Sequence, residues 1–408
     1  VTFRVRHDCR ICGHGLRDFL DLGRQPLANR LLRPGTTDDE RFPLTMARCR
    51  DCGLVQLREV VDSALLFSDY AYVPSTSSTM RAHFDDFAEA LTTQLGLSAG
   101  DVVVDIGSND GLLLSRFQKR GMKVHGIEMA ENLALRAAAT GIPSTAAALS
   151  DDVADRIRAT VGAARLVTAT NVFAHVDDVR AFLRSAVRML DTDGVFVVEV
   201  QSFADTAQAL AFDMTYHEHL TYYSARPLIR LCELEGLALL DVERIATHGG
   251  SLRATIGRRG HALSRPGRIA ARLALEESIV GEAGCAAFAR GALRLRDELR
   301  TLVLQLRSAG HRVAGYGAPA KATVLLNFCG FGPGDIEFVV DRNPDKQGRL
   351  IPGARIPVVG PERLATQPPS HLLLLAWNIA DEIMQEQVRF RETGGRFVRP
   401  VPIPTVID

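Results

Sequence analysis

Short apolar runs recur along the chain, each closed by a glycine-bearing or acidic turn and followed by residues with helical spacing. In VVVDIGSNDGLLLSRF, residues 102–117, a strand ends in Asp105, a loop carries Gly107 and Gly111, and a helix begins. KVHGIEMA supplies a second strand, ending in Glu128. LVTATNVFAHV supplies a third, followed by Asn171 and His175, and GVFVVEVQSF a fourth, carrying Glu199 and Gln201. Strands alternating with helical stretches predict a doubly wound parallel sheet, whose ligands sit beyond the carboxyl ends of the strands. Asn171 is then a pocket residue, whereas His175 fits a pocket or a surface loop equally well. Residues 265–310 read as helices rich in alanine, leucine, arginine and glutamate. Beyond them RVAGYGAPAKATVLLNF repeats the strand, glycine loop and helix pattern, so a second α/β domain is expected.

Composition narrows the picture mainly by exclusion. At 408 residues and 46% hydrophobic, the chain can bury the cores of two or three domains. Lys+Arg and Asp+Glu are both 48, so no global field draws it to nucleic acid or an anionic membrane. No apolar run has the length of a bilayer span, and VTFRVRHDCRICG lacks a basic stretch followed by an apolar one. Small-molecule partners and a cytoplasmic location are expected.

The seven cysteines divide into two kinds. Cys9 and Cys12 in CRICG, and Cys49 and Cys52 in CRDCG, form two Cys-x-x-Cys knuckles, each followed by a glycine that permits the tight turn. In a reducing compartment such pairs point to zinc rather than disulfides. Four thiolates leave no position for water or substrate, so the ion would be structural, and its loss would leave the chemistry intact. Cys232, Cys285 and Cys329 stand alone in apolar surroundings and read as buried small hydrophobes.

In the DIGSNDG turn, backbone N–H groups and the open sheet edge can hold a ligand. Glu128 follows about twenty residues on, the spacing at which an acidic side chain meets ribose hydroxyls. TYHEHLTYYS, residues 215–224, raises a different question: metal site, acid/base site or core. His217 and His219 are two apart, which does not match the HExxH zinc spacing. Tyr222 and Tyr223 suit a core. A Tyr-His-Glu-His cluster suits a core poorly, because each polar atom would need a buried partner. Acid/base chemistry explains the composition better, since a histidine beside a carboxylate titrates near neutrality.

The DIGSNDG loop with Glu128 resembles the S-adenosylmethionine site of class I methyltransferases. CRICG…CRDCGLVQL, DYAYVPSTSS, DIGSNDG, TYHEHLTYYS, HGGSLR, GYGAPAKATVLLNFCG, DRNPDKQGRLIPG and AWNIADEI, in that order, resemble the sugar-nucleotide C-methyltransferases of antibiotic deoxysugar biosynthesis. The resemblance covers nearly the whole chain. It implies an α/β fold in three parts: a small zinc-binding domain (1–65), a central Rossmann-like methyltransferase domain (66–262), and a helical connector with a second Rossmann-like domain that binds the nucleotide sugar (263–408). It implies S-adenosylmethionine held by Asp105, Gly107, Asn109, Asp110, Gly111, Glu128 and Asn171, and structural zinc on the four paired cysteines.

Methylating carbon beside a ketone requires a base and a means of holding an enolate. The resemblance matches Tyr216, Glu218 and His219 to catalytic positions, together with Tyr72, for which Tyr70 competes. His219 and Tyr216 are both candidates for the base that takes a C3 proton. The expected partner is a thymidine diphosphate-linked 4-keto-deoxyhexose, met by a monomer. Tyr222, His248 of HGGSLR, Tyr316 and Lys321 of the GYGAPAK loop, and Asp341 and Lys346 beyond the next strand are its expected contacts. A lysine and oriented N–H groups at a helix start suit a diphosphate. The alternatives are N- or O-methylation of a related substrate, a dinucleotide oxidoreductase using the GYGAPAK loop, and a zinc-ribbon protein that binds nucleic acid.

Overall fold

The computed structural model describes residues 2–37, 40–67, 75 and 78–408. Its N-terminal unit contains β1 (Phe3–Val5), β2 (Leu16–Pro26), β3 (Arg41–Cys49), β4 (Val55–Leu57) and β5 (Glu59–Val61). β1 pairs with β5, while β2, β3 and β4 form an antiparallel sheet.

The central unit contributes β6 (Val102–Ile106), β7 (Lys123–Glu128), β8 (Ser144–Ala146), β9 (Ala164–Thr170), β10 (Leu190–Gln201), β11 (Thr221–Tyr222), β12 (Leu237–Ile245) and β13 (Ser251–Arg258). Seven of these form one sheet in the order β12-β13-β10-β9-β6-β7-β8. The run from β8 to β10 is parallel, and β13 is antiparallel to both its neighbours. Helices cover both faces, so β6 is buried at all five positions, and it opens on three successive valines rather than an alternation. The strand order reverses between β6 and β9, which opens a crevice at their carboxyl ends.

The third unit repeats the scheme with β14 (Val313–Tyr316), β15 (Val339–Val340), β16 (Val358–Val359), β17 (His371–Leu374), β18 (Arg396–Arg399) and β19 (Thr405–Ile407), ordered β16-β15-β14-β17-β18-β19. All its pairings are parallel except β18 with β19, and its reversal falls between β14 and β17. The three-part α/β fold expected from the sequence is present.

The parts are not separate bodies. β11 pairs with β4, so the small N-terminal sheet takes its edge strand from within the central range. The helix Glu282–Ser308 buries Phe288, Leu295, Leu299 and Val303 along one side. That side joins a single core with Leu44 and Met46 of the first unit, Phe212 of the second and Leu325 of the third. Each large side chain of this kind contributes roughly 1.5–3 kcal/mol by leaving water. Cys232, Cys285 and Cys329 are buried, as expected. No helix among the described residues is long and apolar enough to cross a membrane.

Candidate active site and metal centre

Cys9, Cys12, Cys49 and Cys52 converge so that their sulfurs all lie within 4.8 Å of one another. Cys9 Sγ is 3.5 Å from Cys52 Sγ, and Cys12 Sγ is 3.4 Å from Cys49 Sγ. A tetrahedral zinc with sulfur arms of about 2.3 Å has edges of roughly 3.8 Å, so the donor set fits that ion. Backbone N–H groups of Ile11 and Asp51 each approach a sulfur at 3.4 Å, and Gly13 and Gly53 turn with φ of 74° and 79°. Such N–H contacts favour the thiolate that a metal needs.

At the carboxyl end of β6, Gly107 has φ 69°, and a Cβ there would lie 2.2 Å from Val172 Cγ2. The N–H groups of Gly107 and Ser108 both donate to Ile127 O, at 2.7 and 3.1 Å, closing the loop over β7. Glu128, at the end of β7, accepts from Asn109 N at 2.8 Å and Ala130 N at 2.9 Å. Its carboxylate is thereby fixed at the crevice with further lone pairs available for ribose hydroxyls. Asn109 and Asn171 have φ of 49° and 57°, a left-handed conformation that asparagine tolerates well among side-chain-bearing residues. Asn171 N donates to Glu199 O at 2.8 Å at the end of β9. Asp105 accepts from Thr168 Oγ1 at 2.6 Å, and burial pushes its pKa up to about 7. Ser108 Oγ and Asp110 Oδ1 are buried without hydrogen-bond partners among the described residues. Polar atoms left over at a glycine-lined crevice with an anchored acid fit S-adenosylmethionine, which has ribose hydroxyls and an ammonium to satisfy.

TYHEHLTYYS folds as a loop and short strand that bring its polar groups to different tasks. His219 Nδ1 lies 3.1 Å from Met214 O, an acceptor, so this nitrogen carries the proton. In the neutral ring Nε2 is then the acceptor, and Tyr216 Oη donates to it at 2.8 Å. His175 stacks on His219 with centroids 5.3 Å apart, and burial lowers its pKa to about 4, keeping it neutral. His217 is buried and donates through Nε2 to Pro43 O at 3.0 Å, tying the loop to β3. Glu218 is 3% exposed, and burial raises its pKa. Its Oε1 accepts from Asn29 Nδ2 at 3.1 Å, while Oε2 has no hydrogen-bond partner among the described residues. Tyr222 lies in the core with its hydroxyl on Met214 O at 3.4 Å, and Tyr223 stacks on Phe173 at 5.1 Å. Tyr72, its competitor Tyr70 and the His248 side chain lie outside the described residues.

In the C-terminal unit, Asp341 Oδ2 accepts from Ala318 N at 2.8 Å, and Lys346 Nζ reaches Ala318 O at 2.9 Å and Asp341 Oδ2 at 3.4 Å. These bonds pin the glycine loop after β14. Tyr316 is packed in the core, its hydroxyl accepting from Gln387 Nε2 at 3.1 Å. Lys321 begins a helix as expected, yet its ammonium turns inward: it is 6% exposed, donates to Asn378 Oδ1, and sits 3.9 Å from the Trp377 ring centroid. Burial lowers its pKa to about 8.

Sequence reasoning gave no role to several buried polar residues around these sites. Asp213, fully buried, accepts from Trp377 Nε1 at 2.7 Å. Glu199 is clamped between Arg253 at 2.6 Å and His83 at 2.7 Å, beside Asn171. A lone acid inside the apolar run ALAFDM was the signal available for Asp213, since a buried carboxylate must find a partner.

The doubly wound sheet with its glycine crevice and anchored Glu128 defines an S-adenosylmethionine-dependent methyltransferase. Family models match in three successive stretches: a zinc binding domain at residues 9–67, a methyltransferase domain at 80–242 and a C-methyltransferase C-terminal domain at 246–402. The chain belongs to the C-methyltransferase family: it is 39% identical over 412 residues to C-methyltransferase NovU of Streptomyces niveus, covering 98% of this chain and 97% of that one. Its methyl donor is S-adenosylmethionine, its metal zinc. N- and O-methyl transfer, dinucleotide oxidation and a nucleic-acid-binding zinc ribbon are thereby set aside. Among solved structures, the magnesium protoporphyrin IX methyltransferase of Synechocystis PCC 6803 with bound SAM is 13% identical, covering 48% of this chain and 89% of that one with a TM-score of 0.34. An S-adenosylmethionine-dependent methyltransferase from Mesorhizobium loti is 18% identical, covering 43% and 100% with a TM-score of 0.34. Scores this low carry no argument about the site.

Proposed function

We propose that the chain removes the C3 proton of a thymidine diphosphate-linked 4-keto-deoxyhexose and methylates the resulting carbon, in the biosynthesis of an antibiotic deoxysugar. The observation that carries this reading is the 2.8 Å contact between Tyr216 Oη and His219 Nε2. Carbon beside a ketone becomes nucleophilic only after losing a proton, so C-methylation needs a base within reach of that proton. Tyr216 Oη takes the C3 proton as its own proton passes to His219 Nε2, leaving an enolate and an imidazolium. The imidazolium keeps its Nδ1–H on the Met214 carbonyl. Glu218, whose pKa burial raises, acts in this reading as the neutral acid and offers an O–H to the enolate oxygen, in the manner of a carboxylic acid in an apolar site. S-adenosylmethionine, bound along the Glu128 crevice, supplies the electrophilic methyl group. The sugar is supported by the resemblance of eight ordered motifs to sugar-nucleotide C-methyltransferases, and the nucleotide by a second doubly wound sheet with a pinned glycine loop. Four cysteines gathered for a metal and three buried as single thiols, Cys232, Cys285 and Cys329, suit a cytoplasmic setting.

The test is solvent exchange at the sugar. The protein is incubated in heavy water with a thymidine diphosphate 4-keto-2,6-dideoxy sugar and S-adenosylhomocysteine, beside Tyr216→Phe and His219→Asn, and C3 deuteration is followed against a control without enzyme. Exchange that depends on the enzyme and is lost in Tyr216→Phe is expected. A sugar that binds without exchanging would sink the reading.

A further inference from the structure

A continuous line of short contacts joins the C-terminal domain to the Tyr216–His219 pair. Trp377, just beyond β17, donates its indole Nε1–H to Asp213 Oδ2 at 2.7 Å, across 164 residues of sequence. The next residue along from Asp213 is Met214, whose carbonyl accepts from His219 Nδ1 at 3.1 Å. His219 Nε2 then faces Tyr216 Oη at 2.8 Å. At the outer end, Trp377 walls an open cleft of about 400 Å³ together with Asn378 and Arg399.

Packing alone does not account for Asp213. It is fully buried, at 0% solvent exposure, and its Oδ1 has no hydrogen-bond partner among the described residues. An apolar side chain of that size would fill the place at lower cost, because a buried carboxylate is expensive unless well anchored. Its anchorage comes from the other domain: the indole N–H, and Lys321, whose ammonium lies over the same indole and acts on Asp213 electrostatically. The indole is itself seated on the HGG turn. Gly249 has φ 89°, and a Cβ there would lie 3.3 Å from Trp377 Cη2. The methyl-transfer steps as derived make no use of Asp213, Trp377 or Gly249.

We propose that Asp213 is a positioning residue for methyl transfer: tethered by Trp377, it holds the Met214 carbonyl where His219 must keep its proton on Nδ1 and present Nε2 to Tyr216. The inference rests on the reading of Tyr216 and His219 as the acid/base pair. It makes the geometry of that pair depend on the C-terminal domain, whose cleft ends at Trp377, the one tryptophan of the chain.

The test compares the full-length zinc-loaded protein with Trp377→Phe, Asp213→Ala and Asp213→Asn. Spectra of ¹⁵N-labelled histidine in the ligand-free protein, assigned with His219→Asn, read the His219 tautomer. Steady-state kinetics reads kcat and KM, and circular dichroism reads the folded fraction. Wild type is expected in the Nδ1–H tautomer. Trp377→Phe and Asp213→Ala should mix the tautomers and lower kcat roughly 10- to 100-fold, the scale set by misplacing a catalytic group, with KM for S-adenosylmethionine unchanged. Asp213→Asn, which keeps an acceptor for the indole N–H, should recover most of the loss. A wild-type tautomer in Trp377→Phe overturns the proposal, whether kcat is retained or falls only with the folded fraction. Should Asp213→Ala fail to fold, Trp377→Phe, which keeps a ring and removes the N–H, decides alone. The tautomer is read without any sugar, so failure of the keto sugar as substrate is a separate result.

Discussion

The Asn29 side-chain amide donates to Glu218 Oε1 at 3.1 Å, across 189 residues of sequence, and so joins the N-terminal unit to the acid/base segment. Other bonds reinforce the junction. His217 donates to Pro43 O in β3, Leu57 N donates to Leu220 O at 2.9 Å, and β11 pairs with β4 through Thr221 with Gln56 and Tyr222 with Val55. β4 begins three residues after the last zinc cysteine, Cys52.

Zinc removal should therefore lower activity, contrary to the expectation that a structural ion can be lost without consequence for the chemistry. Structural zinc is commonly worth about 10 kcal/mol or more of folding free energy in small domains, so its loss should loosen β3 and β4 and release Glu218. Chelation, or Cys49→Ser, should reduce kcat together with metal content and lower the Tm, as measured by metal analysis, activity and calorimetry on the same samples. Full activity in metal-free protein would show that the junction holds without the ion.

Glu218 distinguishes a hydrogen-bond donor from a charge. Burial raises the pKa of its carboxyl, and its Oε2 is the unpartnered atom. Glu218→Gln replaces that O–H by an N–H donor and should retain activity to within about tenfold. Glu218→Ala removes the donor and should lose about 100-fold or more in kcat, the cost seen for an oxyanion donor. Equal losses in the two variants, measured at saturating substrate, would argue that the carboxylate charge is what matters.

The sheet strands were legible chiefly because β6 and the second half of β10 are buried on both faces and carry consecutive apolar residues, 102–104 and 195–198. The four zinc cysteines were legible because paired knuckles are local. Gly107 was legible because the turn needs a positive φ, although its closeness to Val172 was not. Asn29 and Asp213 escaped because their partners lie 189 and 164 residues away, and no local pattern encodes such pairings. Lys321 illustrates the opposite difficulty. Its position at a helix start was correctly read from the sequence, but the direction of its ammonium is set by Trp377 and Asn378, which arrive on β17's loop from a different part of the chain.

Glu128 fixes the loop that approaches the methyl donor, and its removal has two costs. Glu128→Ala leaves the N–H groups of Asn109 and Ala130 without their acceptor and deletes the acceptor for ribose hydroxyls. A loss of about 2–3 kcal/mol for bonds to a charged group corresponds to S-adenosylhomocysteine binding weaker by roughly 30- to 150-fold. Titration calorimetry with the zinc-loaded protein measures it. An unchanged Kd would exclude Glu128 from the donor site.

Asp105 makes a prediction about stability rather than rate. Its folded-state pKa is about 7, raised from 3.8 chiefly by burial. Below about pH 4 the folded and unfolded chains both hold this proton, and the group is neutral in its effect. Between about pH 4 and 7 the unfolded chain releases the proton while the folded chain keeps it, so stability falls as pH rises through that window and stays reduced above it. Asp105→Asn cannot ionise and keeps an acceptor for Thr168 Oγ1, so it escapes the penalty. Relative to wild type, the ligand-free variant should gain stability between about pH 4.5 and pH 8, by at most about 4 kcal/mol for a shift of this size. Urea midpoints of the two proteins at both pH values supply the comparison, and the shared shifts of Asp213 and Glu218 cancel in the difference. A stability difference independent of pH would mean that Asp105 remains ionised in the fold, held by a charge or donor other than Thr168.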